Sequence, residues 1–214
     1  MRSLSILGIA LALFSSLYYY IDTHLENFYI FEPKQLHELS LNALREHGNN
    51  TTAIVKHIVD NLSTRFPNHV NVDEEWVFNN AGGAMGAMYI IHASVTEYLI
   101  IFGTAVGTEG HTGRHTADDY FYILQGEERA YTPGSYTPEV YPVGSVHHLR
   151  RGVVKQYRMP QDCFALEYAR GLIPPMLFFG FADTFFSTLD FPTLWRTTVL
   201  TAREMGANLL VGKV

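Results

Sequence analysis

Two stretches of the sequence decide the fold: GTEGHTGRHTADDYFYILQG at positions 107–126 and PVGSVHH at positions 142–148. The first contains a run of aromatic and aliphatic residues that stops at Gly126, which is typical of a β-strand that ends in a turn. Runs of the same kind recur between Gly/Pro turns, at residues 97–102, 119–124, 153–157 and 163–168. Short strands at this spacing predict an all-β sandwich or barrel.

The polar residues of these two stretches resemble the signature motifs of the cupin barrel. In that fold the first motif carries His-x-His, an acid and a closing Gly, and the second carries Pro-x-Gly-x-x-His. Asp119 and His115 match the first motif and His147 matches the second, but Gly113 occupies the remaining metal-ligand position. The resemblance implies a cupin-like β-barrel. A metal-dependent cupin enzyme, with His115, Asp119 and His147 as ligands, is one alternative for the function.

Composition excludes several classes of protein. The 214 residues suffice for one domain with a small appendage, and only 17% of them are charged while 47% are hydrophobic. The net charge is -6, and no basic patch extends beyond Arg150 and Arg151, so nucleic acid is not an expected partner. The single cysteine, Cys163, allows no internal disulfide and no cysteine-ligated metal.

The N-terminus contains an uncharged apolar run at residues 4–21, between Arg2 and Asp22. A bilayer core is spanned by about 17–25 such residues. Three tyrosines at 18–20 stand where an interfacial aromatic belt would lie, and no small-x-small cleavage site follows. We expect one uncleaved transmembrane helix. The charges on its two sides favour a cytosolic N-terminus and a luminal body.

Helical patterns flank the predicted barrel on both sides. Leucine and isoleucine recur at helical spacing on both sides of the turn at 48–50, which predicts two short helices. After Pro174 and Pro175, two further apolar patterns are separated by Pro192, and proline suits the first turn of a helix. The first of these patterns is apolar on more than one side. It fits either a buried helix or one that contacts both the barrel and a membrane surface.

The chain is therefore predicted to be mainly β with flanking helices. Its four predicted segments are a transmembrane anchor at 1–25, a helical segment at 26–75, a barrel at 76–173 and C-terminal helices that close the barrel at 174–214.

Two carboxylates are the strongest candidates for chemistry. In the run CFALEYAR at 163–170, strand alternation places Glu167 on one face with two alanines, which leave room for a ligand. In the run at 119–124, Asp119 and Phe121 share a face, while Asp118 lies on the opposite one. Asp119 and Glu167 are predicted to face the interior of one barrel. The alternative for Glu167 is a salt bridge at the barrel rim, for example with Arg170.

Two carboxyl groups inside an apolar barrel have a specific chemistry. Burial raises the pKa of each, and their proximity prevents both from ionising together. One carboxyl remains a neutral acid while its partner is an anion. Such a pair can protonate an alkene and stabilise the resulting carbocation, and it can bind hydrophobic ammonium compounds that mimic that cation.

Longer stretches of the sequence closely resemble the fungal sterol C-8 isomerases and their relative, the sigma-one receptor. The stretches are EWVFNNAGGAMGAM at 75–88, HAS at 92–94, FGTAVGTEGHTG at 102–113, FALEYARG at 164–171 and ADTFFSTLD at 182–190. The resemblance is collinear and covers essentially the whole chain. It is closer to the isomerases than to the receptor, through ADDYF at 117–121 and HHL at 147–149.

This resemblance implies an architecture and an activity. The architecture is a cupin-like barrel with one N-terminal membrane helix and two membrane-associated, amphipathic C-terminal helices, assembled as a homotrimer in the endoplasmic reticulum membrane. The activity is conversion of a sterol Δ8 double bond to Δ7 (fecosterol to episterol) in ergosterol biosynthesis, without a cofactor. Lipophilic amines are the implied inhibitors.

The resemblance also implies roles for individual residues. The ligand-binding glutamate of the family falls on Glu167. The second acid of the receptor falls on Phe121, so Asp119 is the predicted replacement, and Asp118 remains an alternative if a β-bulge intervenes. Asp118 and His148 are expected to support the catalytic acids without contacting the substrate. The predicted substrate-binding residues are Tyr98, Phe102, Met88, Phe121, Ile173 and Leu177.

The implied mechanism is a pair of proton transfers. A neutral carboxylic acid protonates carbon 9 of the Δ8 alkene, a cation forms at carbon 8, and a carboxylate removes a proton from carbon 7. Either carboxyl could be the acid. A non-catalytic, lipophilic-amine-binding receptor of the same family is the alternative function from another class.

Overall fold

The computed structural model describes the backbone of residues 2–214 and the side chains of residues 6–214. The helices are α1 (Arg2–Thr23), α2 (Pro33–His47), α3 (Thr51–Arg65), α4 (Ile173–Asp183) and α5 (Phe191–Leu210). The strands are β1 (Trp76–Ala81), β2 (Ala84–Ala93), β3 (Glu97–Thr104), β4 (Thr108–His111), β5 (Ala117–Gln125), β6 (Glu127–Tyr131), β7 (Glu139–Pro142), β8 (Val146–Leu149), β9 (Gln156–Met159) and β10 (Cys163–Gly171).

Helix α1 is the apolar N-terminal helix that the sequence predicts. Its window Ile6–Thr23 is, within the described chain, the one helix long and apolar enough to cross a membrane, and none of that window is buried against protein. At 1.5 Å per residue, 18 residues extend about 27 Å, close to the thickness of a bilayer core. By length and composition α1 therefore fits a membrane span.

The strands form two antiparallel sheets. The large sheet has the order β1-β2-β3-β10-β5-β8, and the small sheet has the order β4-β9-β6-β7. The strand predicted at 153–157 is shifted towards the C-terminus. The chain turns at Gly152, and the pairing of β9 begins only at Gln156. The helices and sheets confirm the predicted mainly-β class with flanking helices.

Helices α2 and α3 cover the outer face of the large sheet. Alternate strand residues such as Tyr122, Leu166 and Tyr168 pack there against the leucines and isoleucines of both helices. Each fully buried aliphatic or aromatic side chain contributes about 1.5–3 kcal/mol by leaving water. The intervening residues of the same strands, such as Ile123 and Ala165, point to the inner face, where a second apolar cluster lies.

A buried carboxylate, that of Glu97 in β3, fastens remote parts of the chain to this sheet. It accepts hydrogen bonds from the backbone N–H groups of Ile30 (2.9 Å) and Phe31 (3.0 Å) and from the Tyr168 hydroxyl (2.6 Å). It also forms an ion pair of 2.9 Å with Lys213 Nζ, and both side chains are almost completely buried. The segment after α1 and the segment after α5 are therefore held at one point.

The C-terminal helices close one end of the barrel. Helix α4 continues into a π-helical turn at Thr184–Thr188 and ends at Leu189, whose φ of 54° is left-handed. Asp190 then caps α5 by accepting from the Thr193 N–H at 3.2 Å. Helix α4 therefore ends before the apolar pattern that predicted it, which continues up to Pro192. Large side chains such as Phe186 and Trp195 project outward and are exposed.

Candidate active site

A cavity of about 190 Å³ lies between the two sheets and is closed by α4 and α5. The residues predicted to be catalytic or substrate-binding all line it: Glu167, Asp119, Tyr98, Phe102, Met88, Phe121, Ile173 and Leu177. A mostly apolar concavity with a few convergent polar groups is typical of a small-molecule site. The roles of these residues stay predictions, but the fold brings them together. Strand alternation predicts the shared cavity for Glu167, Asp119 and Phe121, and the family resemblance predicts it for the others.

Glu167 projects into the cavity from the central strand β10. Its neighbours on the same face are Ala165 and Ala169, and its ladder partners are Phe121 and Ile100. Burial raises the pKa of Glu167 well above its usual value, and the nearby charges of two further acids raise it more. The predicted alternative, a salt bridge with Arg170, does not form: that guanidinium lies over the rings of two tyrosines on the outer face.

Asp119 reaches the same cavity from β5. The side chain is buried, and its Oδ1 atom has no hydrogen-bond partner. Burial raises the pKa of Asp119 to about 7, the proximity of His147 opposes that rise, and the charge of Glu128 adds to it. This carboxyl therefore changes its protonation state near neutral pH.

Asp118 and His148 lie on the opposite face of the sheet. His148 Nε2 is 3.0 Å from Asp118 Oδ1, and more than a third of each side chain is exposed. The bulge that the sequence allowed is located at Phe164 and Ala165, away from the aspartates. Regular alternation therefore directs Asp119 inward and Asp118 outward. Neither side chain lines the cavity, and the expected supporting role of Asp118 and His148 stays a prediction.

A third acid, Glu128 in β6, lines the cavity from the small sheet and was missed by the sequence analysis. Its Oε1 atom accepts a hydrogen bond from His147 Nδ1 at 2.8 Å, and its buried Oε2 atom has no partner. The pattern that marked Glu167 is present here too, because Glu128 shares a strand face with the small residue Ala130. That signal is weaker, since β6 is short and the facing sheet is not evident from local sequence.

Tyr98 connects the cavity wall to α5. Its hydroxyl lies 3.2 Å from Thr201 Oγ1 in a buried hydrogen bond. Burial raises the pKa of Tyr98 above its normal value, so the phenol stays neutral. This hydrogen bond ties the wall of the cavity to a threonine of the closing helix.

The three candidate metal ligands do not form a cluster. His115 Nε2 lies 2.6 Å from the Thr112 carbonyl oxygen, and both ring nitrogens of His147 contact other side chains, Glu128 and Lys155. Among the described residues, the group with ligand-like spacing is Glu46, His47 and His57 on α2 and α3. The donor geometry of the cavity therefore does not favour the metal-dependent alternative.

The family model described as ERG2 and Sigma1 receptor like protein matches residues 8–213. C-8 sterol isomerase ERG2 of Gibberella zeae is 71% identical over 209 residues, which are 98% of this chain and 89% of that protein. C-8 sterol isomerase of Pyricularia oryzae is 70% identical over 212 residues, which are 98% of this chain and 96% of that protein.

More distant similarities involve a receptor and a solved structure. Sigma non-opioid intracellular receptor 1 of Gallus gallus is 40% identical over 173 residues, which are 79% of this chain and 76% of that protein. An RmlC-like cupin from Shewanella frigidimarina superimposes with a TM-score of 0.41 and 13% identity, over 49% of this chain and 89% of that one. The family model and the full-length relatives establish that the chain belongs to the ERG2 and sigma-one receptor family.

Proposed function

We propose that this protein is a sterol Δ8–Δ7 isomerase that converts fecosterol to episterol in ergosterol biosynthesis. The observation that carries the proposal is the placement of Asp119 and Glu167, two carboxyls with raised pKa values, in one apolar cavity. A carboxyl group can protonate an alkene only while it carries its own proton, and burial keeps it in that neutral form. The high identity to proteins named C-8 sterol isomerase supports the same activity.

The surroundings of the two carboxyls assign the roles, because the charges of Asp119 and Glu128 favour the protonated form of Glu167 and His147 favours the ionised form of Asp119. Glu167 is the general acid: its O–H bond breaks as a C–H bond forms at carbon 9 from the alkene electrons. The cation at carbon 8 then loses a proton from carbon 7 to the Asp119 carboxylate, and the electrons of that C–H bond form the Δ7 double bond. General acid–base steps contribute on the order of 10²–10⁴ in rate.

Stabilisation of the cation supplies a further part of the rate. The Asp119 carboxylate provides a negative charge in a site without bulk water, and Phe102 and Phe121 present aromatic faces to the same cavity. A lipophilic amine carries its positive charge where the cation would form. We therefore expect such amines to compete with the sterol.

The cellular setting is also part of this proposal. An apolar α1 without protein cover and outward aromatic residues on the C-terminal helices, such as Phe186 and Trp195, support attachment to a membrane. The endoplasmic reticulum and the homotrimer are proposed on the family resemblance. The sterol would then reach the cavity from the lipid phase.

The test is turnover by the purified protein in lipid nanodiscs. Fecosterol is supplied, and the appearance of episterol is followed by gas chromatography and mass spectrometry. In D₂O the product should carry deuterium at carbon 9, because the added proton comes from an exchangeable carboxyl. Binding of a lipophilic amine without any Δ7 product would instead support a non-catalytic receptor, and loss of turnover on chelation would favour the metal-dependent alternative.

A further inference from the structure

Each turnover of the proposed reaction leaves the two carboxyls in exchanged states. Glu167 has lost a proton and Asp119 has gained one, so the pair must be reset before the next sterol reacts. The cavity wall around both groups is largely apolar, and a bound sterol displaces the water inside it. Proton exchange with solvent then needs a path through the protein.

A series of hydrogen-bonded side chains runs from the cavity to the surface. Glu128 Oε1 lies 2.8 Å from His147 Nδ1, and both side chains are only 1% exposed. His147 Nε2 lies 3.3 Å from Lys155 Nζ, which in turn donates to Glu139 Oε2 at 2.5 Å. Lys155 is 12% exposed and Glu139 is 41% exposed, so the outer end of the series reaches water.

The donors and acceptors in this series fix one arrangement of protons. A lysine ammonium has only donors, so the Nε2 atom of His147 must accept from Lys155. The Nδ1 atom then carries the hydrogen that Glu128 Oε1 accepts. The imidazole can therefore accept a proton at Nε2 and release another from Nδ1. This transfers one positive charge across the ring while the ring itself stays in place. The Tyr141 ring stacks on His147 at 4.5 Å and keeps it in place.

The inner end of the series faces the carboxyl pair. Glu128 Oε2 is buried and has no hydrogen-bond partner. The same is true of Asp119 Oδ1, which lies in the same cavity. His147 stands on β8 directly opposite Phe121, one alternate position along from Asp119. Unpaired polar atoms are rare in protein interiors, and two in one cavity indicate a site for exchange of protons or water.

We propose that Glu128, His147 and Lys155 form a proton relay between solvent and the Asp119–Glu167 pair, an inference that rests on the function proposed above. Lys155 passes a proton to His147 Nε2, His147 passes its Nδ1 proton to Glu128, and Glu128 supplies Glu167. The proton that Asp119 took from carbon 7 leaves by the reverse sequence. One proton enters and one leaves per turnover, so the charge of the site is unchanged.

The experiment uses the full-length protein in nanodiscs, in H₂O, with a Δ8 sterol that carries two deuterium atoms at carbon 7. The variant is His147→Gln, whose side-chain amide can donate to Glu128 and accept from Lys155 but cannot relay a proton. Lys155→Met is the second variant, because it interrupts the relay at the partly exposed end. The matched control is His57→Gln on α3, outside the barrel.

The relay predicts two changes in both relay variants. The value of kcat falls at least 10-fold with little change in KM, and the share of product with deuterium at carbon 9 rises, since the proton from carbon 7 is now retained and delivered to the next sterol. The wild type and His57→Gln should give product with hydrogen at carbon 9. A fall in kcat without added deuterium would overturn the relay, as would unchanged kcat and labelling. If the wild type itself forms no Δ7 sterol, the proposed function has failed instead.

Discussion

Glu167 and Asp119 lie on adjacent antiparallel strands and are offset by two ladder positions, because Glu167 is paired with Phe121 and Asp119 with Ala169. Diagonal partners of this kind have Cα atoms about 7–8 Å apart on one face of a sheet. The charge of Asp119 therefore raises the pKa of Glu167.

Replacing Glu167 by glutamine should abolish isomerisation, with at least a 100-fold lower kcat, because an amide cannot supply the proton. The fold should persist, since glutamine is nearly isosteric and introduces no buried charge. Sterol turnover and thermal unfolding measure the two effects. The control is Glu109→Gln, where the carboxylate is 60% exposed on β4. Turnover by the Glu167 variant within a few-fold of wild type would disprove the assignment.

The adjacent aspartates should respond in opposite ways to the same substitution. Asp119→Asn removes the base inside the cavity and should lower kcat at least 100-fold. Asp118→Asn changes a half-exposed group on the outer face and should leave kcat within about twofold, since it touches only His148 and the Arg151 N–H. The two variants are compared in one turnover assay. Equal losses in both would contradict the assignment of Asp119 as the base, because only one face of β5 can reach the cavity.

The value of kcat/KM should fall as the pH drops below neutrality. Asp119 must be ionised to accept a proton, and its pKa is about 7, so activity should fall about tenfold per unit as the pH drops below that value. Glu167 must be protonated, and its raised pKa places the loss of activity at higher pH. Initial rates between pH 5 and 9 test this. A flat profile from pH 5 to 8 would exclude Asp119 as the base.

The raised pKa of Asp119 also predicts a pH-dependent stability. Between its unfolded value, near 4, and about 7, the folded protein binds more protons at this site than the unfolded chain, so its contribution to stability is lost as the pH rises through that window. Asp119→Asn should therefore raise Tm relative to wild type more at pH 8 than at pH 4. A difference in Tm that is equal at both pH values would contradict this linkage.

Removal of the buried Lys213 cation should destabilise the fold. Lys213→Met leaves the Glu97 carboxylate without its ion-pair partner, and breaking a buried pair costs about 3–5 kcal/mol. The matched control, Lys56→Met, breaks a surface pair with Asp60 and should change the stability very little. Chemical denaturation of both variants measures the difference. Similar midpoints for the two would show that other donors suffice for Glu97.

The directions of side chains along single strands could be predicted from the sequence. The period of two along a strand is fixed by backbone geometry, so the opposite directions of Asp119 and Asp118 follow from their spacing. The two alanines that share a face with Glu167 favour the inward direction of that side chain over the alternative at the rim. The lining residues Tyr98 and Phe102 are on such a strand as well.

The parts that were missed depend on tertiary contacts. Glu128 is on the small sheet, and its proximity to Asp119 depends on how two sheets face each other, which no local pattern encodes. The end of α4 depends on a left-handed Leu189, a conformation that leucine rarely adopts and that sequence gives no reason to expect. The shift of β9 to Gln156 follows from pairing with neighbouring strands.

The turn between β1 and β2 meets the closing helix at Gly82, which has a φ of 64°. A Cβ atom at this position would lie 2.5 Å from the Phe179 ring and 2.4 Å from the His111 carbonyl oxygen, and both residues line the cavity. The side chain of any larger residue would clash with Phe179 and push α4 away from the barrel. Water admitted through that gap would solvate the carboxylates and bring their acidity back toward that of free amino acids, so the reactivity of two distant acids depends on the absence of a single methyl group.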